Sequence, residues 1–402
     1  MGGAAGLLTV LTAMFILGEG SSTMFVPAMP ALASQFDVAP GIVQYSLSGY
    51  ALAFGAATLL SGPLSDRFGR RPVALAGLLL FLAGALVAAG GESIDAVILG
   101  RVLQGAGAAS GYVVSRAVIR DRFAGGVAAR AMSFLFFGLA LVVIVAPMAG
   151  GQLVHSLGWQ SAFLLQAAIA AAVTLASLLL LRESNRQPDR DAIRPLPMLR
   201  NYAALFANPR YLAFMAAHAC AYAGIMAFLA GGTFALSQIG LDHRGIGLAL
   251  GIAMGGFLLG SLAAMQAQRR LGTGIRRLVS LSTLLLAAAP AVLLLVGPDR
   301  GLSVAVFLAL QFAFMFAAGL MAPNTAAGVM LEYPHRAGLA AAMLGSVQQA
   351  SAAIATVAVT LLLATAGGIA VPAVQAVLGA VAVLAFHLLI RRPARQAEEP
   401  GR

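Results

Sequence analysis

The chain has 402 residues, 60% of them hydrophobic and only 10% charged, against roughly a quarter charged in an average soluble domain. A water-soluble fold of this composition would expose wide apolar patches, so water is not its main solvent. The net charge of +11 does not point to nucleic acid, because the arginines that carry it gather in alternate loops, as membrane topology alone dictates.

The apolar residues fall into about twelve runs, each long enough to cross a hydrocarbon layer of about 30 Å. The first six lie near Leu7 to Pro30, Ile42 to Leu64, Val73 to Gly90, Ala96 to Ile119, Ala129 to Leu153 and Ser161 to Leu181. The second six lie near Tyr211 to Leu236, Gly245 to Met265, Leu278 to Val296, Leu302 to Pro323, Ala337 to Ala366 and Ala370 to Ile390. None alternates apolar with polar residues as a barrel strand does, which predicts an all-α membrane protein of twelve transmembrane helices.

The first run has no basic residue before it, unlike a signal peptide, and is expected to stay as a helix. It contains Glu19, about 18 Å along the helix and so near mid-bilayer. A carboxyl withdrawn from water there is one that can load and release a proton. The alternative is a protonated structural hydrogen bond to a neighbouring helix. Gly18 and Gly20 flank Glu19, and Ser21, Ser22 and Thr23 follow, so the helix is thin and polar at this point, as a cavity wall would be.

The second run leads into Gly62-Pro-Leu-Ser-Asp-Arg-Phe-Gly-Arg-Arg-Pro72, read as a loop. Asp66 with Arg67, Arg70 and Arg71 forms a charge cluster at the ends of helices two and three, which Asp121 and Arg122 from helix four can join. Such a cluster can latch one conformation and release it in another, although a basic loop that only sets topology is the simpler account.

The fourth run carries Arg101, a cation that cannot shed its proton and must be paired, hydrated or close to an interface. Gln104, Ala108, Tyr112 and Ser115 share its helix face, which is expected to look into a cavity. Snorkelling to the outer surface is the alternative. In the fifth run, Ala146-Pro-Met-Ala-Gly-Gly151 predicts a kinked, closely packed helix, because Pro147 removes a hydrogen bond and Gly150 and Gly151 lack side chains.

A polar stretch from Arg182 to Arg210 divides the helices six and six. The expected organisation is a bundle over residues 1–182, a linker over 183–210, and a second bundle with a short tail over 211–402. A degraded echo of the Ser65–Arg71 string in Arg269–Arg277 suggests that the bundles are pseudo-symmetric repeats rocking about a site near the midplane. In the second half, His218 and Tyr222 stand one turn apart, and Gln348 with Gln349 in run eleven and Gln311, Phe314 and Met315 in run ten are further candidates for a cavity. A lone membrane His is more often a satisfied interhelical donor. Cys220 is read as packing.

Arginines after runs two, four, eight and twelve set against acidic loops on the other side place both termini in the cytoplasm. The chain has no Lys, hence no phosphate-cradling Walker A loop. With no catalytic constellation and five scattered His, neither an enzyme, a metal site nor a cofactor is expected.

The motifs together resemble the major facilitator superfamily, and within it the Bcr/CflA subfamily of bicyclomycin and chloramphenicol resistance exporters. Gly62 to Pro72, with Gly62, Asp66, Gly69 and Arg70, is similar to the family's signature between helices two and three. Arg101-x-x-Gln-Gly-x-Gly107 resembles its helix-four motif, associated with proton coupling. Gly138 with Pro147-x-x-Gly-Gly151 resembles its helix-five antiporter motif, with Ala146 where Gly is usual. Val26-Pro-Ala-Met-Pro30, Ser115 to Asp121, Gly158 to Phe163, Pro323-Asn324 and Ala337 to Gly345 carry the subfamily likeness.

The resemblance implies a monomeric drug:proton antiporter of the inner membrane, with a cavity lined mainly by helices one, four, seven and ten and no partners beyond substrate, protons and lipid. Thr23 stands where the subfamily has an acid, and Glu19 lies one turn earlier on the same face. The expected function is proton-coupled export of small, mostly apolar compounds. Export of a sugar or other polar metabolite is the alternative.

Overall fold

The computed structural model describes residues 2–123, 125–185, 188–189, 200, 202–238, 240–296, 304–333 and 337–391. Most of the linker arginines (Arg186, Arg190, Arg194), the start of run ten at Leu302, and the tail residues Arg392 and Arg395 lie outside them.

Among the described residues, twelve helical spans are long and apolar enough to cross a membrane. They are α1 (Ala5–Gln35), α2 (Pro40–Phe68), α3 (Arg70–Ala89), α4 (Ile94–Arg122), α5 (Arg130–Leu157) and α6 (Gln160–Leu180), then α7 (Pro209–Gln238), α8 (His243–Arg270), α9 (Ile275–Val296), α10 (Val304–Glu332), α11 (Leu339–Leu363) and α12 (Gly367–Leu389). Large apolar side chains such as Phe137, Leu157, Leu179, Leu295 and Leu361 are exposed on their flanks, as a lipid-facing surface requires.

The local chemistry explains the ends. Pro40 opens α2, where its missing N–H is no loss, and Ser93 caps α4 by accepting from Ala96 N at 3.3 Å. Asn208 caps α7 through its Oδ1, which accepts from Arg210 N at 2.9 Å. Within α1 the helix tightens to a 3₁₀ turn over Val26–Ala28, where Pro27 interrupts the regular bonding. Within α7 a π-helical turn covers Phe228–Gly232.

The sequence reading needs one correction. The expected Gly62–Pro72 loop is helical almost throughout: α2 runs to Phe68, α3 starts at Arg70, and Gly69 alone is the connection. Pro63 inside α2 does not end it. Arg101 does not snorkel, being wholly buried.

The helices divide into two compact units, one of Met1–Ile193 with Thr233–Gly251, the other of Arg194–Gly232 with Ile252–Arg402. In the first, Leu11, Met14, Phe15, Phe54, Phe81 and Val114 are among the buried core. Its helices close tightly on α4. A Cβ at Gly105 would run into the backbone of Tyr50 in α2, and one at Gly100 would lie 2.6 Å from Gly84 O in α3. In the second unit Gly260 and Gly319 bring α8 and α10 together in the same way, each against backbone of the other helix. Apolar attraction between helices is weak in lipid, so backbone contact across small residues supplies the packing.

Gly105→Val should therefore collapse the solubilised protein into aggregate on size-exclusion chromatography. Gly255→Ala, whose added Cβ would first meet Phe312 at 3.8 Å, should elute as the wild type does.

Candidate functional site

Glu19 sits in α1 at 8% exposure and is the only buried carboxylate among the described residues. Its turn of helix is held open by Gly18, where a Cβ would come within 2.9 Å of Phe54 and 3.3 Å of Ala108. That space admits Tyr50 of α2, whose hydroxyl donates to Gly18 O at 2.7 Å, while Ser21 Oγ lies 3.4 Å from the same hydroxyl. Thr23 turns its hydroxyl back to Glu19 O at 2.9 Å.

Arg101 of α4 occupies the next layer. Its guanidinium carbon lies 4.0 Å from the centre of the Tyr50 ring and 4.9 Å from that of Phe25. Tyr50 thus meets α1 through its hydroxyl, at Gly18 O next to Glu19, and Arg101 through its ring. The ring faces contribute on the order of 2 kcal/mol when desolvated, against a burial penalty of several kcal/mol, so they soften the cost of the cation without cancelling it.

The rest of the support comes from amides. Arg101 Nη1 donates to Gln104 Oε1 at 3.0 Å, Gln104 Nε2 to Gln166 Oε1 at 2.8 Å, and Gln166 Nε2 to Ser21 O at 3.3 Å. This chain runs from α4 through α6 back to α1, one residue beyond the Gly20 that follows Glu19. Gln104 and Ala108 are buried in it or beside it. Gln166 was not singled out from the sequence, although a Gln amid the apolar residues of α6 is a readable signal.

Tyr112 lies farther along the same helix, stacked on Phe15 at 4.8 Å and edge-on to Phe54 at 5.5 Å. Arg116, one turn on, places its guanidinium 4.2 Å from the Tyr112 ring. Sequence reasoning passed over Arg116, a second cation on α4 whose spacing from Tyr112 was visible.

A second constellation surrounds Gly69. Arg70 donates from Nη1 to Asp66 Oδ1 at 2.6 Å and to Ser65 Oγ at 2.6 Å, and from Nε to Asp121 Oδ2 at 3.1 Å. Arg67 stands apart from this cluster, over the Phe68 ring at 5.1 Å. Arg71 reaches Leu178 O at 2.9 Å, and Arg122 reaches the Arg182 and Glu183 carbonyls.

Glu183 lies just past α6. Its Oε1 accepts from Arg70 N at 2.9 Å and Asn185 N at 2.8 Å, and its Oε2 from Arg71 N at 3.0 Å. The carboxylate thus caps the first turn of α3 at the positive end of the helix. Gly69 has φ +101°, and a Cβ there would meet Glu183 Oε2 at 2.5 Å, so both the backbone and the space require glycine. Asn185 Nδ2 donates to Asp66 O at 2.7 Å, tying the segment after α6 to the end of α2.

In α5, Gly138, Gly150 and Gly151 are contact points. A Cβ at Gly138 would lie 2.8 Å from Thr12, one at Gly150 would overlap Met24 O, and one at Gly151 would lie 2.5 Å from His243 O. Pro147 is inside the helix.

The second unit has its own polar interior. His218 in α7 faces Thr325 Oγ1 through Nδ1 at 2.8 Å and Gln348 Oε1 through Nε2 at 2.9 Å. An amide oxygen only accepts, so Nε2 carries the hydrogen and Nδ1 is left to the hydroxyl. Gln349, rather than Gln348, reaches Tyr222, at 3.4 Å. Gln311 of α10 pairs with Gln375 of α12, and Gln375 Nε2 also donates to Gly224 O at 3.1 Å. Gln375 was missed in the sequence.

Burial works against charge on Glu183, but hydrogen bonds from the Asn185, Arg70, Arg71 and Ser184 N–H groups outweigh it and hold the carboxyl below the usual carboxylate range. Its contribution to stability is complete above the ordinary Glu value and is lost as pH falls through the folded value. As pH falls from about 5 to about 3, the melting temperature of Glu183→Gln should change less than that of the wild type. Identical pH dependence of the two would show that the cap contributes nothing.

Residues 10–356 match the family model of the Major Facilitator Superfamily. The chain is 30% identical over 345 residues to Multidrug resistance protein D of Escherichia coli (strain K12), covering 85% of each chain. It is 28% identical over 210 residues to the Bicyclomycin resistance protein homolog of Haemophilus influenzae, 52% of this chain and 53% of that protein. Among solved structures, that of a D-xylose-proton symporter superposes with a TM-score of 0.79 over 96% of this chain and 97% of its own, at 15% identity, a likeness of fold alone. Twelve spans, tight glycine seams and the family match lead to one conclusion: this chain is a membrane transporter belonging to the major facilitator superfamily, and not an enzyme.

Proposed function

We propose that the chain exports small, mostly apolar compounds by alternating access, in exchange for protons that enter on Glu19. The observation that carries this reading is the buried Glu19 carboxylate of α1, in the same unit as the buried Arg101 that lies over the Tyr50 ring. A carboxyl there binds a proton from one side of the membrane and releases it to the other, and substrate and proton compete for it. In this reading Arg101, held by Gln104, tunes how tightly the proton is bound. The polar candidates for contact with substrate are Thr23 in the first unit and, taken separately, His218, Tyr222 and Gln348 in the second.

The names of the relatives favour a drug over a polar metabolite. So does the use made of the amides. Gln104 and Gln166 are bonded to each other, as are Gln311 and Gln375, which leaves few free to recognise a sugar. The hub at Arg70 acts as the latch, holding the ends of α2, α3 and α4 together in one conformation and parting in the other. Arginine placement sets the latch, and with it both termini, on the cytoplasmic side of the inner membrane, in a monomer divided near the linker over 183–210.

In proteoliposomes, Glu19→Gln should abolish chloramphenicol export driven by a pH gradient while some binding persists. Undiminished gradient-driven export would contradict the assignment. Asp66→Asn should slow turnover without loss of binding, and an unchanged turnover rate would count against the latch.

A further inference from the structure

The second unit contains a cavity of about 640 Å³ at the end of the molecule where α7 and α9 begin and α12 ends. Arg210 of α7, Arg276 and Arg277 of α9, and Arg391 just past α12 all line it. No Asp or Glu is among its lining residues, and none of the four arginines enters an ion pair among the described residues. Arg210 Nε is buried and has no hydrogen-bond partner there. By contrast, Arg70 in the first unit has two carboxylates.

Basic residues at one end of membrane helices need no ligand to explain them, because topology favours them. Topology does not, however, require four guanidinium groups from three helices to line one open cavity. Arg276, Arg277 and Arg391 are exposed around it, where one anion could be held by several guanidinium groups at once. The first turn of α9, which begins at Ile275, adds the positive end of a helix to the same place.

The other walls identify the kind of anion. Leu281, Leu284, Phe386 and Ile390 line the cavity beside the arginines, and Leu281 and Leu284 are half exposed on the apolar flank of α9. A cationic rim thus continues into a surface that faces acyl chains. His387 also lines it, with Nδ1 donating to Val383 O at 2.8 Å and Nε2 paired with Ser280 Oγ at 2.8 Å.

We propose that this cavity is a binding site for an anionic phospholipid, the phosphodiester held by Arg210, Arg276, Arg277 and Arg391 and the acyl chains lying along α9 and α12. Basic pockets of this kind gain affinity from each arginine near an anionic headgroup. A water-soluble anion would leave the apolar walls unused.

The test is native mass spectrometry of the purified full chain, titrated with phosphatidylglycerol against a phosphatidylethanolamine background. The wild type should retain phosphatidylglycerol selectively, and R276Q/R277Q should bind it about tenfold or more weakly. R276K/R277K keeps the charge and should retain most of the binding, which separates loss of the site from loss of fold. R269Q/R270Q removes the same charge outside the cavity and should bind as the wild type does. Unchanged retention in R276Q/R277Q, or an equal loss in R269Q/R270Q, would overturn the proposal. Displacement by an excess of the free headgroup, glycerophosphoglycerol, would overturn the lipid assignment in favour of a soluble anion.

Discussion

The guanidinium of Arg101 lies against the faces of Tyr50 and Phe25, wholly inside the first unit, with one hydrogen bond to Gln104. Much of that unit can be understood as the means of placing this cation, like the Glu19 carboxyl of α1, away from water. Tyr50 reaches its position because Gly18 leaves room in α1 and Gly105 lets α4 approach α2 to backbone contact. The amide chain from Gln104 through Gln166 to Ser21 fixes the guanidinium from its other side. Each of these parts is ordinary. Together they bury a cation against a tyrosine whose hydroxyl is bonded to the helix that carries Glu19.

The same economy appears at the far end of the unit. Arg70 is shared between Asp66 and Asp121, and Glu183 caps the helix that Arg70 begins. One glycine with positive φ joins two long helices, so the charges at their ends are brought to a fixed spacing by the backbone rather than by a loop. A connection this short transmits movement of one helix to the next. The second unit places no acid in its interior among the described residues, and its polar centre is His218 between a hydroxyl and an amide.

The membrane spans and the family were legible in the sequence because hydrocarbon imposes a length on each helix and topology sorts the arginines. Glu19 and Arg101 were legible for the same reason, since an interior charge stands out in an apolar run. The Gly69 connection was not, because Gly, Pro, Ser and charged residues read as a loop until their bonds are seen. Glu183 was hidden by its position past a helix end, where an acid costs nothing and gives no signal. Gln166 and Gln375 were overlooked because an uncharged amide interrupts hydropathy only slightly, and its importance lies in a partner on another helix that no local pattern names.

The central claim is that Glu19 carries the exchanged proton. If substrate and proton compete there, adding chloramphenicol to the purified protein in weakly buffered detergent should release about one proton per substrate bound, read with a pH-sensitive dye. Glu19→Gln should bind with no release. Equal proton release from the wild type and Glu19→Gln would contradict the account.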